Sequence, residues 1–210
     1  GRFYFVSNKG MDKVMEERQK NYLILGSMFT GPLSLEALEG IQVERFFGEL
    51  FTGNEAKLEK IKREIILYID QIEDISTCAR ALQIEFEKRF ELCVDAKYAV
   101  PLWGSYYLDG ALFGESMQWV DDFYRHCGYQ VKKVKSGQPR DHLADAFGFL
   151  AIMGDENIAE QSYFLKNYLL IWLERMAKSK NYQSMHSLYR LLLDFAIEFV
   201  HIDEESLEKG

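Results

Sequence analysis

Apolar side chains recur at helical spacing along every long segment of the chain. The last segment shows the pattern most clearly, with an apolar face formed by Met185, Leu188, Tyr189, Leu192, Phe195, Ala196 and Phe199. Prolines occur only at Pro32, Pro101 and Pro139, and each interrupts a helical pattern. Proline cannot continue a helix because it lacks the backbone N–H and clashes with the preceding turn. The sequence therefore predicts an all-α, compact protein of about nine to ten helices.

Glycine, proline and capping residues mark the expected helix boundaries. The predicted helices cover residues 12–30, 35–41, 42–51, 58–72, 75–92, 115–127, 142–153, 157–178 and 182–201. Ser34 is expected to cap the second helix, and Thr52 or Asn54 to cap the fourth. A brief strand is also conceivable near residues 131–134, within a lysine-rich loop.

The charge balance excludes one large class of partners. The chain has 33 acidic and 25 basic residues, which gives a net charge of −8. Such a chain lacks the basic footprint of a nucleic-acid-binding protein. The same negative field attracts basic peptides over long distances.

Cysteine and histidine residues form no metal-binding or disulfide pattern. The three cysteines are widely spaced, without a Cys-x-x-Cys pair, and the histidines offer no pair at i,i+4. We therefore expect no metal and no cofactor, and a reducing environment. The longest strongly apolar run, 169–173, is far too short to span a membrane. These features predict a cytoplasmic protein.

We expect the chain to be organised as one helical domain. No fixed-period repeat or low-complexity tract is present, which argues against a solenoid. Residues 1–10 are interpreted as a tag or disordered leader ahead of Met11. Residues 11–210 are then the domain, with a candidate hinge near 128–141.

A break between two helical patterns contains Gln138, Pro139, Asp141 and His142. Asp141 stands where an N-cap is expected ahead of the helix over 142–153. A carboxylate, an imidazole that titrates near neutrality and free backbone N–H groups would then lie together. Such a place can bind a polar partner. The alternative is a capping aspartate beside a surface histidine.

Aromatic residues are concentrated in a second break, which includes Pro101, Trp103, Ser105, Tyr107 and Asp109. Tryptophan and tyrosine combine a wide apolar face with a polar tip, which suits the anchoring of a peptide. The alternative is a loop that packs back on the core as a plug. From the residues alone, both interpretations stay open.

The chain contains none of the common nucleophile, phosphate-loop, dinucleotide-binding or zinc-protease motifs. A hydrolase would have to use Asp141 and His142 as acid and base, with Ser105 or Cys127 as the nucleophile. Adjacent residues rarely orient each other as a catalytic pair, so we expect no catalytic residue. A helical adaptor or scaffold is the third interpretation.

The order of these motifs resembles the TorD/DmsD/NarJ family of cytoplasmic chaperones for molybdenum-containing oxidoreductases. The likeness runs from about Arg18 to His201. It is carried by Phe86 and Phe90, the Pro101–Asp109 loop, the Phe123–Gly128 motif, the Gln138–Leu143 element and the Phe164–Leu173 motif. The Pro-x-Asp-His element is fairly specific when it is paired with the aromatic loop.

The resemblance implies an all-helical fold that binds the twin-arginine signal peptide of a molybdopterin oxidoreductase. Members hold that enzyme back from export until its cofactor is inserted. The implied peptide-binding residues are Phe90, Pro101, Trp103, Ser105, Tyr107, Tyr124, Gln138, Asp141 and His142. The family usually has a glutamate where this chain has Gln138, and Arg140 lowers the local negative charge further. A monomer or a domain-swapped dimer is expected.

The chemistry of these residues is compatible with such a peptide. A carboxylate such as Asp141 can take a guanidinium through paired, charge-assisted hydrogen bonds. Trp103, Tyr107 and Phe90 could shelter the apolar segment that follows the arginines.

Overall fold

Helices make up the regular structure of the described residues. The computed structural model describes residues 17–42, 56–91, 95–131 and 138–209. In these ranges the one β-type pairing is an isolated antiparallel bridge between Trp103 and His142. The prediction of an all-α protein is therefore confirmed. Within the same ranges, no helix has the length and apolar character that crossing a bilayer requires.

The described ranges contain eleven α-helices and one π-helical turn. They are α1 (Glu17–Met28), α2 (Leu35–Gln42), α3 (Ala56–Asp70), α4 (Ile75–Arg89), α5 (Gly104–Leu108), α6 (Glu115–His126), α7 (Leu143–Met153), α8 (Ile158–Phe164), the π-turn (Leu165–Leu169), α9 (Leu170–Lys178), α10 (Lys180–Gln183) and α11 (Leu188–Lys209). The run from α8 through the π-turn to α9 is continuous. Counted once, it gives ten helices in the described part of the chain, as predicted.

The last predicted helix, 182–201, is wrong at both ends. The structure divides it into α10, which ends at Gln183, and α11, which continues to Lys209. The break contains two serines, and the Ser184 hydroxyl donates to the Asn181 carbonyl at 2.8 Å. Such local side-chain hydrogen bonds compete with continued helix.

Some of the other sequence predictions are confirmed, and others concern residues that the structure does not describe. Ser34 caps α2, since its hydroxyl accepts the Ala37 N–H at 3.1 Å. Gly128 follows α6 with a φ of 80°, a left-handed conformation that glycine adopts without strain. Residue 42 is the last residue of α2. The rest of the predicted helix over 42–51 lies outside the described residues, as do Met11, Thr52, Asn54 and the lysine-rich loop.

The chain groups into two compact units. The first unit comprises the described parts of 1–30 and 102–175, and the second those of 31–101 and 176–210. The expectation of one domain with a hinge near 128–141 stays a prediction.

Helix α7 is the central element of the first unit. Its sequence is apolar on nearly every side, and all but one of its residues are buried. Helix α1 packs against it, with Gly26 allowing close approach: a β-carbon there would lie 3.5 Å from the Phe147 β-carbon. The segment that leads into α7 is therefore attached to the best-packed part of this unit.

Three aromatic rings form part of the core of the second unit. The Phe90 ring lies 5.2 Å from Phe86 and 5.3 Å from Tyr189. The Tyr189 hydroxyl accepts the buried Leu33 N–H at 2.9 Å. Tyr189 thus supplies both apolar packing and a hydrogen-bond partner for the start of this unit.

We expect Tyr189→Phe to lower the free energy of unfolding by about 1–3 kcal/mol, because the buried Leu33 N–H loses its acceptor. Urea denaturation measures the change. Tyr163→Phe is the control, since Tyr163 is 52% exposed and should change stability by less than about 0.5 kcal/mol. Equal stability of the two variants would contradict the assignment.

Candidate functional site

The two motifs singled out in the sequence meet in the first unit. The Gly104 N–H donates to the Asp141 carbonyl at 3.1 Å, and the Leu143 N–H donates to the Leu102 carbonyl at 2.8 Å. These bonds flank the backbone bridge between Trp103 and His142. The side-chain rings of the two residues meet edge to face, with their centroids 4.9 Å apart. We call residues 102–105 and 141–143 together the latch.

Asp141 caps a different helix from the one predicted. Its Oδ2 accepts the Ser105 N–H at 2.6 Å, at the start of α5, and the residue is only 2% exposed. The expected N-cap role at α7 belongs instead to His142, whose Nδ1 accepts the Ala144 N–H at 3.1 Å. Trp103, the residue before α5, offers no side-chain cap, so the carboxylate from the distant segment satisfies this helix end.

Arg140 is engaged away from Asp141. Its Nη1 lies 2.9 and 3.1 Å from the two carboxylate oxygens of Asp121 on α6. Arg125 binds the same carboxylate at 2.9 Å. Burial raises the pKa of Asp121, but the hydrogen bonds from Arg140 and Arg125 outweigh it and lower the pKa. These bonds anchor Arg140, the residue directly before Asp141, to α6.

The aromatic loop is partly packed and partly open. Leu102 is fully buried and Trp103 is 6% exposed, as in the plug interpretation. Tyr106 is 37% exposed, and Tyr107 lies at the boundary with its ring stacked on Trp172 at 6.1 Å. The loop thus combines a buried base with two tyrosines that reach the surface.

The remaining candidate residues are distributed as follows. Tyr124 is buried, with its ring 4.8 Å from that of Phe149, and Gln138 is exposed. Phe90 and Pro101 are buried residues of the second unit. The structure therefore brings together Asp141, His142, Trp103 and Ser105 in the latch. Their roles in peptide binding stay predictions.

Sequence reasoning missed three residues at the base of the latch: Gly104, Tyr168 and Trp172. A β-carbon on Gly104 would lie 3.0 Å from the Trp172 Nε1 and closer still to the Tyr168 hydroxyl. Tyr168 lies in the π-turn and Trp172 one turn later in α9. Their i,i+4 spacing looks like ordinary core packing in the sequence, and only Trp172 belongs to a recognised motif.

The geometry does not favour a hydrolase. Burial, and to a smaller extent Glu160, raise the pKa of Cys127 to about 11, so the thiolate is scarce near neutrality. The Ser105 hydroxyl is buried and makes no hydrogen bond to a base. Among the described residues, no cluster of His, Cys, Asp and Glu is arranged to hold a metal.

Comparison with known proteins identifies the family to which this helical chain belongs. Residues 47–178 match the family model described as nitrate reductase delta subunit. The match covers more than half of the chain, which therefore belongs to this family.

The similar proteins are TorD-type chaperones. The chain is 25% identical to chaperone protein TorD of Vibrio cholerae serotype O1, Ogawa strain, over 92% of this chain and 93% of that protein. The El Tor relative is 23% identical with the same coverage. In fold, the chain resembles the crystal structure of a redox enzyme maturation protein from Archaeoglobus fulgidus, with a TM-score of 0.51, 18% identity, and coverage of 96% of this chain and 99% of that one. The chain is a TorD-type chaperone, not an enzyme.

We expect Gly104→Ala to destabilise the protein by about 1–3 kcal/mol, because the added methyl group collides with Tyr168 and Trp172. Thermal and urea unfolding measure the loss. Gly40→Ala is the matched control: no atom lies within 4 Å of its added β-carbon, and replacing a helical glycine there should stabilise by about 0.5–1 kcal/mol. Tolerance of Gly104→Ala would contradict the close packing described above.

Proposed function

We propose that this chaperone binds the twin-arginine signal peptide of a molybdopterin oxidoreductase in the cytoplasm and delays export until the cofactor is inserted. The observation that carries the proposal is that the aromatic loop bonds directly to Asp141 and packs its Trp103 ring against His142. These two motifs carry the family resemblance, and they converge on one carboxylate. The TorD relatives support the chaperone class.

Asp141 is the proposed receptor for a guanidinium of the peptide. Before the peptide binds, its Oδ2 accepts the Ser105 N–H at 2.6 Å, and a guanidinium takes over this oxygen in the complex. Arginine pairs with a carboxylate through two parallel hydrogen bonds, whereas lysine offers only a point charge. His142, beside Asp141 and edge-on to Trp103, would contact the peptide backbone or the second arginine.

The apolar segment after the arginines would lie on the aromatic side chains around the latch. Tyr106 supplies exposed ring surface on the same loop as Trp103, and Tyr107 is partly exposed. Phe90, Pro101, Tyr124 and Gln138 stay candidates on the sequence resemblance alone. Aromatic anchors of this kind supply most of the affinity in many peptide sites. The net charge of −8 favours the approach of a basic leader.

We expect Asp141→Asn to weaken binding of a synthetic leader peptide with two consecutive arginines by about 1–3 kcal/mol, the range for a hydrogen bond to a charged group. Asparagine can still accept the Ser105 N–H, so thermal stability should change much less than affinity. Isothermal titration at two salt concentrations measures both effects. Added salt should weaken wild-type binding more than variant binding, because the variant lacks the screened charge.

Asp122→Asn is the control for a general charge effect. Asp122 lies on the same unit, 58% of its side chain is exposed, and its partner is Arg125 rather than the latch. Its replacement should leave affinity nearly unchanged. Equal affinity and equal salt dependence of the Asp141→Asn variant and the wild type would remove Asp141 from the site.

A further inference from the structure

Buried polar atoms without a hydrogen-bond partner are concentrated beneath the latch. Among the described residues of the first unit they include Trp103 Nε1, Ser105 Oγ, Tyr107 OH, Tyr124 OH, Tyr168 OH and Trp172 Nε1. Folded proteins pair the great majority of their buried polar groups. So many unpaired hydroxyl and indole groups in one small region are typical of a ligand site rather than of ordinary core packing.

Gly104 connects these groups to Asp141. The Tyr168 hydroxyl and the Trp172 Nε1 both face the α-carbon of Gly104, and the next residue donates its N–H to Asp141. Tyr168 lies in the π-turn, a geometry frequent at functional sites. Gly104, which has no side chain, therefore lies against both aromatic residues and directly before the residue that donates to Asp141.

The electrostatic field in this region favours a cation. Burial is the main reason why the pKa of Tyr168 is raised well above its usual value, and the negative charges of Asp141 and Asp109 raise it further. Burial likewise raises the pKa of Tyr124, with added contributions from Tyr168, Asp145 and Asp141. Neutral phenols accept hydrogen bonds, so together with the nearby carboxylates they suit a cationic donor such as a guanidinium. The indole N–H groups of Trp103 and Trp172 are donors only and need an acceptor, such as a carbonyl of the peptide backbone.

We propose that Tyr168 and Trp172 form an inner arginine pocket behind Asp141, which a guanidinium of the bound peptide enters when the latch opens. The inference rests on the proposed function and assigns two residues to that site. A guanidinium has five donors and no acceptor, and it stacks on aromatic faces. The Asp141 carboxylate and the Tyr168 hydroxyl supply acceptors, and the Trp172 indole supplies a face for a cation–π contact.

Opening of the latch is part of the proposal. Asp141, Tyr168 and Trp172 are 2%, 3% and 0% exposed, so a peptide side chain cannot reach them in the closed arrangement. The two segments of the latch are joined by one isolated bridge and by the bond from the Ser105 N–H to Asp141, and α5 has only five residues. Opening therefore separates the Trp103–His142 pair and breaks the Ser105–Asp141 bond.

Tyr168→Phe tests the pocket because it removes one hydroxyl and keeps the ring. Titration with the two-arginine peptide should show affinity lower by about tenfold, as expected for a lost hydrogen bond to a charged group. A peptide with two lysines in place of the arginines should bind the wild type more weakly and be less affected by the change. Tyr163→Phe, five residues away with an exposed ring, should bind as the wild type does. A thermal melt verifies that both variants are folded.

A disulfide across the latch tests the opening step. Trp103 and His142 form a non-hydrogen-bonded pair between the two backbone bonds. The α-carbons of such a pair are expected about 4.5 Å apart. Trp103→Cys with His142→Cys, after replacement of the three native cysteines by serine, should therefore form a disulfide when oxidised. We expect the oxidised form to bind the peptide at least tenfold more weakly than the same variant after reduction.

The outcomes separate the two proposals. A wild type that does not discriminate the two-arginine from the two-lysine peptide overturns the proposed function. A wild type that discriminates them, with Tyr168→Phe at wild-type affinity, overturns the inner pocket alone. Equal binding by the oxidised and reduced double variant overturns the opening step.

Discussion

The bond between the Ser105 N–H and the Asp141 carboxylate holds the candidate site together. It joins residues 36 positions apart and is buried, so water does not replace it. Burial of a carboxylate is costly unless it accepts hydrogen bonds, and the unsatisfied start of α5 provides one. The aromatic loop is therefore attached to the segment that enters α7, the most buried helix of its unit.

In the proposed mechanism the same carboxylate has two partners at different times. In the closed latch it caps α5, and in the peptide complex it binds a guanidinium. The leader then shifts a population that already contains open molecules, by binding only those. Affinity is then reduced by the cost of opening the latch.

The longer helices were predictable because their apolar residues recur at helical spacing, and Ser34 and Gly128 act on their own chain neighbours. The five-residue α5 and the break between α10 and α11 were not predicted. The sequence also did not predict that His142 caps α7 and that Asp141 caps α5. A cap from a segment 36 residues away leaves no local signal, so Asp141 looked like the cap of the helix that follows it. The sequence did not identify Tyr168 and Trp172 as site residues for a related reason. Aromatic residues at helical spacing look like core residues, and only the structure shows that Gly104 lies against these two.

The central claim is that the peptide replaces the Ser105 N–H as a partner of Asp141. Hydrogen exchange of individual backbone amides, measured by NMR with and without saturating two-arginine peptide, tests this most directly. Our account predicts faster exchange at Gly104 and Ser105 in the complex, with unchanged protection of the Leu33 N–H, which bonds to Tyr189 in the other unit. Peptide binding with unchanged or greater protection at Ser105 would contradict it.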